Sequence, residues 1–136
     1  MFEVFEHTAD VGLRITAPDL DTLFAEAARG LFSLIVENLD EVRPLREEII
    51  RLEERDLTYL FFDWLRELLF RFDSGHMLFS RFEVRVEEGR LEARIGGEPL
   101  DPGRHRLDHE VKAVTYHGLK VESSAGGWLA EVIVDI

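Results

Sequence analysis

The sequence predicts an α+β fold in which two helices pack against antiparallel β-sheets. Two segments carry apolar residues at the spacing of one helix face, and most other segments alternate apolar and polar residues as half-buried strands do. These strand-like segments follow one another as hairpins rather than as the regular crossovers of a parallel sheet. A chain of 136 residues without a linker-like stretch is expected to form a single domain over residues 1–136.

The two predicted helices cover residues 19–37 and 56–72. Their apolar residues recur at i, i+3, i+4, i+7 and i+8, which places them on one side of each helix. Asp19 and Asp56 are the predicted N-caps, because a carboxylate there accepts hydrogen bonds from the free N–H groups of the first turn. Each helix should therefore begin at an aspartate and bury one face.

The two helices also resemble each other in sequence, which is typical of a duplicated strand–helix–strand unit. Two amphipathic helices of similar length can also look alike by chance, and the sequence alone leaves both explanations open. When the two N-caps are aligned, the matched positions include Leu20 with Leu57, Leu23 with Leu60, Phe24 with Phe61, Arg29 with Arg66, and Leu31 with Leu68.

The remaining segments have the pattern of strands. The clearest is a hairpin in which an alternating run at 82–87 and a second one at 91–95 flank a Glu88-Gly89 turn. A second hairpin is predicted from 111–122 and 128–134 around residues 123–127. Further strands are expected at 2–5, 11–15 and 49–52.

Composition excludes several kinds of chemistry and location. The chain has no cysteine, which rules out disulfides, thiolate zinc sites and cysteine nucleophiles. Charged residues interrupt the first twenty positions, which argues against a signal peptide, and no apolar run is long enough to span a bilayer. We therefore expect a cytoplasmic protein without a membrane partner.

The formal net charge of −12 argues against direct binding of RNA or DNA, because phosphate recognition depends on clustered Lys and Arg. Such a surface suits a basic partner or metal cations. It is equally consistent with a charge that only keeps the protein in solution.

Two places in the chain carry polar residues that could do chemistry. The first is His7-Thr8-Ala9-Asp10, which lies between two strand-like segments, where functional groups often sit. Local turn hydrogen bonds of Thr8 and Asp10 would explain the same pattern.

The second place is the end of the last strand, where Asp135 should share a face with Ile133 and Glu131. The α-carboxylate of Ile136 then lies one residue from the Asp135 carboxylate, and two such anions repel unless a cation or a donor lies between them. Oxygen ligands of this kind suit hard cations such as Ca²⁺ or Mg²⁺. A frayed, solvated terminus is the alternative.

The sequence contains no other recognisable set of catalytic residues. Gly96-Gly97 lacks the Lys-Ser or Lys-Thr of a phosphate loop, there is no G-x-S-x-G elbow, and no EF-hand spacing occurs. The five histidines form no helical ligand pair, so zinc is not expected. His7 and His117 are expected to form structural hydrogen bonds. The lack of a nucleophile with a base argues against a self-sufficient hydrolase or transferase.

Four segments together resemble the archease family along essentially the whole chain. They are H-T-A-D-V-G at 7–12, the helix that opens at Asp56, E-V-K-A-V-T-Y-H at 110–117, and the ending W-L-A-E-V-I-V-D-I at 128–136. Each segment alone is a weak signal, but their combination and order are specific.

The resemblance implies a fold of two strand–helix–strand–strand units whose antiparallel sheets form a barrel-like body. It implies a divalent-metal site made by Asp10, Asp135 and a main-chain oxygen of Ile136, with Ca²⁺ or Mg²⁺ expected first and Mn²⁺ next. It also implies a role as a non-enzymatic accessory factor. Archeases promote guanylylation and multiple turnover of RtcB-type RNA ligases in tRNA splicing and RNA repair, so RNA would be met only through the ligase.

Two other functions stay open from the sequence. The paired carboxylates and a cation could activate water in a stand-alone phosphohydrolase, for which His7 is the only nearby titratable candidate. Alternatively, the chain could be a chaperone-like interaction module in which a metal is purely structural.

Overall fold

The computed structural model of the chain describes residues 1–7 and 10–136, and within them eight strands and two long helices. The helices are α1 (Leu20–Ile35) and α2 (Leu57–Gly75). The strands are β1 (Phe2–His7), β2 (Asp10–Ala17), β3 (Arg46–Glu53), β4 (Met77–Glu87), β5 (Arg90–Pro99), β6 (Ala113–Val114), β7 (Lys120–Ser124) and β8 (Gly127–Asp135). A short helical turn covers Leu39–Glu41.

The strands form two antiparallel sheets. The five-stranded sheet has the order β1-β2-β8, and both β6 and β7 pair with the far edge of β8. The three-stranded sheet has the order β3-β5-β4. The predicted α+β class with two helices is confirmed. Helix α1 packs against both β2 and β4 and so stands between the sheets, which are not closed into a barrel among the described residues. The expected term "barrel-like" therefore describes this arrangement of sheets only loosely.

The two sheets contain the duplicated unit, but one copy is nested inside the other. The inner unit is β3-α2-β4-β5, and the outer unit is β2-α1, interrupted by the inner unit and completed by β7 and β8. In both copies the last strand lies in the middle, paired with the strand before the helix. Both copies also hold the same ion pair: Arg14 Nε lies 3.0 Å from Glu131, and Arg51 Nε lies 3.1 Å from Glu92.

Both helices begin at the predicted aspartates. The Asp19 carboxylate accepts the Thr22 N–H at 2.8 Å, and the Asp56 carboxylate accepts the Thr58 N–H at 2.9 Å. Helix α1 ends at Ile35, two residues before the predicted 37, because Val36 turns extended and bridges to Leu107.

Helix α2 runs three residues beyond the predicted 72, through Gly75. It ends at His76, which adopts a left-handed conformation with φ of 54° and donates its N–H to the Phe72 carbonyl. A glycine is the usual residue at such a helix end, and here the glycine lies one position earlier.

The two units share one core. Trp64 of α2 is fully buried, and its indole N–H donates to the Phe24 carbonyl of α1 at 2.9 Å. The Phe24 and Phe61 rings meet edge to face, with centroids 5.2 Å apart. The apolar faces of both helices pack inward, as their spacing predicted. Within the described part of the chain, no helix is long and apolar enough to cross a membrane.

The predicted hairpin from 111–122 to 128–134 forms only in part, because its first strand is broken. Only Ala113–Val114 and Lys120–Ser124 pair with β8. Between them Thr115 donates both its N–H and its hydroxyl to the Ile133 carbonyl, after which the chain loops away from the sheet. This loop, 115–119, interrupts a strand that the alternation of apolar residues predicted as continuous.

Candidate functional site

Asp10 and Asp135 lie directly opposite each other on neighbouring strands. Asp10 is the first residue of β2 and is in register with Asp135, the last residue of β8. The next pair, Val11 with Val134, is buried in the core, so the two aspartates occupy the other face of the sheet. Opposite residues of an antiparallel pair have Cβ atoms about 4.5–5.5 Å apart, which brings the two half-buried carboxylates close together.

Asp135 is held from both sides by the sheet. Its second strand neighbour is Ala113 of β6, and its backbone carbonyl accepts the Lys112 N–H at 2.7 Å. Since this carbonyl is engaged within the sheet, the carboxylate is the oxygen group that Asp135 offers to a ligand. Backbone pairing with both neighbouring strands therefore fixes the position of Asp135.

Ile136 follows Asp135 and packs against the hydrophobic core while remaining half-buried. That contact holds the main chain of Ile136 next to the aspartate pair, since consecutive Cα atoms are about 3.8 Å apart. The structure thus brings Asp10, Asp135 and Ile136 together at one strand end.

Metal binding by these three residues stays a prediction. Thr8, Ala9 and the side chain of His7 lie outside the described residues. Among the residues that are described, no group of three or more His, Asp or Glu side chains is placed to hold a metal ion. Two carboxylates alone make a weak site, so a main-chain oxygen such as that of Ile136 is needed to complete the ligand set.

An aromatic ring closes the site on the side away from the strand end. Phe5 of β1 lies over Gly12 of β2, where a Cβ atom would come within 2.2 Å of the ring. The guanidinium of Arg14 lies over the same ring, 4.9 Å from its centroid. Ile133, opposite Gly12, is buried on this outer face. The aspartate pair is therefore bordered by an apolar row whose packing depends on the missing side chain at position 12.

A second polar cluster, not anticipated from the sequence, surrounds Glu98 at the end of β5. Its carboxylate accepts Arg104 Nη1 at 2.7 Å and the Arg43 N–H at 2.6 Å, and His105 Nε2 lies 3.1 Å away. The Asp101 N–H donates to His105 Nδ1 at 2.9 Å, so the ring proton is on Nε2 and points at Glu98. Glu98 is only 5% exposed.

The Arg104 hydrogen bond, followed by the Arg43 N–H and His105, lowers the pKa of Glu98 from 4.5 to about 2, although burial acts in the opposite direction. These partners lie in the connector after β5 and in the turn before β3, so this carboxylate fastens the two segments to each other. The sequence offers only two signals for this cluster. An acid directly follows Gly96-Gly97, and a histidine lies four residues after Asp101.

Comparison with known proteins identifies the family. The archease protein family matches residues 2–136. The protein archease of Methanopyrus kandleri is 48% identical over 139 residues, covering 99% of each chain. That of Pyrococcus abyssi is 38% identical over 140 residues, covering 99% of this chain and 98% of its own.

Two solved structures have the same fold. The solution structure of protein 1598 from Methanobacterium thermoautotrophicum matches with a TM-score of 0.88 and 35% identity, over 99% of this chain and 98% of that one. The crystal structure of an archease, possible chaperone, from Thermotoga maritima matches with a TM-score of 0.68 and 23% identity, over 100% and 98%. These matches cover essentially the whole chain, including the segments that carry Asp10 and Asp135. The chain therefore belongs to the archease protein family.

Proposed function

We propose that this protein is an accessory factor of an RtcB-type RNA ligase, and that Asp10, Asp135 and Ile136 hold a divalent cation for that role. The observation that carries the proposal is the register of β2 and β8, which sets two carboxylates opposite each other beside the main chain of Ile136. Family membership supports the role, since the resemblance implies assistance to such a ligase.

The donor set fits a hard cation. Two carboxylates and a main-chain oxygen are the ligands that Ca²⁺, Mg²⁺ or Mn²⁺ accept, whereas zinc prefers nitrogen and sulfur. Two like charges opposite each other in a sheet are unfavourable, and a cation between them removes that cost. Both carboxylates come from paired strands, so little ordering is needed when a cation binds.

A bound divalent cation would supply positive charge next to a nucleotide triphosphate, which is the group that a ligase must position for guanylylation. The protein's own part is to present Asp10 and Asp135 on a rigid strand end and to dock on a basic ligase surface. Its net charge of −12 suits that partner and leaves RNA binding to the ligase.

The proposal is tested by measuring guanylylation and turnover of an RtcB-type ligase with Asp10→Ala and Asp135→Ala, across Ca²⁺, Mg²⁺ and Mn²⁺. Each variant is expected to lose stimulation while keeping its circular dichroism spectrum. Glu83→Ala, which removes an exposed carboxylate from the other sheet, is the matched control and should stimulate normally. Full stimulation by both aspartate variants would overturn the proposal.

The role of Ile136 has its own test. Appending Gly-Ser after Ile136 turns its carboxylate into an amide, which should weaken metal binding measured by calorimetry and lower the stimulation. A matched Gly-Ser insertion in the exposed turn between β7 and β8 leaves the terminus unchanged. If the appended chain binds metal and stimulates as well as the unmodified one, the carboxylate of Ile136 is not a ligand.

The same assays separate the two other functions. Hydrolysis of GTP or RNA by this protein without any ligase would favour a phosphohydrolase. In a chaperone-like module, as in the possible chaperone of Thermotoga maritima, the stimulation by the aspartate variants would instead fall only as their thermal stability falls.

A further inference from the structure

The outer edge of β3 is an open strand edge. The Glu54 N–H donates to the Gly89 carbonyl at 3.0 Å and so continues the ladder between β3 and β5. Backbone groups alternate in direction along a strand, so Glu47, Ile49 and Arg51 point their N–H and C=O groups away from β5. Within 1–7 and 10–136, no backbone hydrogen bond satisfies these groups.

The opposite edge of the same sheet is protected. On β4 the Val86 N–H donates to the Asp21 carboxylate of α1 at 2.7 Å, and Arg29 of α1 reaches the Ser80 carbonyl at 3.4 Å. A register shift near Ser80 further interrupts that edge. Side-chain caps and bulges of this kind are how proteins prevent unwanted strand pairing. Edge β3 has neither device, so it remains able to accept a strand.

The charged and apolar side chains along β3 indicate which partner strand would fit this edge. Ile49 is 40% exposed, and Leu45 just before the strand is 69% exposed. Glu47 and Arg51 lie two residues on either side of Ile49, on the same exposed face. We propose that a second copy of this chain pairs with β3 antiparallel, about a two-fold axis at Ile49, and joins the two three-stranded sheets into one six-stranded sheet.

This register satisfies both backbone and side chains. Ile49 meets Ile49 of the second copy, and Glu47 of each copy meets Arg51 of the other. All these residues point their backbone groups outward, so each pair exchanges two hydrogen bonds. A shift centred on Glu47 or on Arg51 would set like charges opposite each other, which is unfavourable.

The charges of the whole sheet continue across the proposed contact. Within one copy the exposed face carries the row Arg85, Glu92, Arg51, in which neighbours alternate in sign. The Glu47 of the second copy extends that alternation. Edge β1 offers no such match, because its charged residues are Glu3 and Glu6, with no Lys or Arg. Of these two edges, only β3 therefore carries the complementary pattern.

The pairing is tested first by single-cysteine cross-linking, since the chain has no native cysteine. Ile49→Cys places two thiols on the axis at a Cα separation of about 5.5 Å, within disulfide range. Arg51→Cys is the matched control, because its two copies lie four positions apart, roughly 13–14 Å. Mild oxidation should give a cross-linked dimer with Ile49→Cys and not with Arg51→Cys. Equal cross-linking of both, or none, overturns the proposal.

Charge swapping provides the second test, with sedimentation velocity across a concentration series. Glu47→Arg sets Arg opposite Arg and should weaken self-association about tenfold or more. The double variant Glu47→Arg with Arg51→Glu restores opposite charges and should restore association. Arg85→Glu on the protected edge β4 is the control and should have little effect. A chain that stays monomeric at all concentrations, or a double variant no better than the single one, contradicts the pairing.

Discussion

The two sheets differ in the signs of the charged residues that face each other on neighbouring strands. On the three-stranded sheet every charged residue that faces another across the strands meets the opposite sign, as in Arg51 with Glu92 and Glu53 with Arg90. On the five-stranded sheet Asp10 faces Asp135. Since the two sheets belong to duplicated units, this like-charged pair sets one copy apart from the other.

The equivalent position in the inner unit carries one acid instead of two. When Arg14 is aligned with Arg51, and Glu131 with Glu92, the counterpart of the aspartate pair is Glu47 facing Gly96. There the single acid pairs with Arg94, at 3.5 Å. The outer unit thus has two facing acids where the inner unit has one, and a local departure of this kind is expected at a ligand site.

The ends of the two central strands differ in the same way. Strand β5 leads to Glu98, whose carboxylate is buried and held by three protein donors. Strand β8 ends at Asp135, which is half-buried and faces another acid. One strand end uses its carboxylate to fasten the fold, whereas the other carries the carboxylate that we propose as a metal ligand. Substitutions at Trp64, Glu98, Gly12 and Asp135 test how the two units and their strand ends differ.

The largest effect is expected where the two units meet. Trp64→Ala removes a fully buried ring and its hydrogen bond to Phe24, which should lower the free energy of unfolding by about 3–5 kcal/mol. Urea denaturation measures it. Loss of a single transition, with one unit melting before the other, would show that the units do not share one cooperative core.

Glu98→Gln comes next, and its effect depends on pH. The folded pKa of Glu98, about 2, lies below its ordinary 4.5, so ionised Glu98 stabilises the fold above pH 4.5 and that contribution is lost as pH falls toward 2. The variant should be about 1–3 kcal/mol less stable at pH 7 and should show a smaller loss on acidification. Parallel acid titrations of both proteins would contradict this role.

A smaller effect is expected at Gly12, whose counterpart in the inner unit is the exposed Ile49. An alanine Cβ would lie 2.2 Å from the Phe5 ring, so Gly12→Ala must displace that ring at a cost of about 1–3 kcal/mol. Adding Phe5→Ala should recover part of the loss, which thermal melts of the single and double variants would detect. Additive losses would mean that the ring is not the obstacle.

The smallest effect, and of opposite sign, is expected at the aspartate pair itself. Without divalent metal, Asp135→Asn removes one of two facing charges and should raise the free energy of unfolding by a few tenths of a kcal/mol. Glu92→Gln, which removes one of two opposite charges, should lower it by a similar amount. If both variants are destabilised equally, the two sheets do not differ as proposed.

Local patterns predicted the elements of the fold but not their connections. The caps at Asp19 and Asp56 and the inner hairpin follow from spacing alone, because neighbouring residues decide them. The nesting of one unit inside the other, and the meeting of Asp10 with Asp135, depend on pairing between distant strands. The break at Thr115 and the bonds around Glu98 depend on partners that no local pattern reveals.

Nesting also sets the order in which the molecule can assemble. The inner unit, residues 46–99, closes its sheet through a hairpin and the helical connection through α2, whereas β2 and β8 must meet across more than one hundred residues. Loop closure grows costlier with length, so the inner unit is expected to fold first and to shorten the remaining loop. The pairing of Asp10 with Asp135 would then form last, so the candidate site would be assembled only when the whole chain has folded.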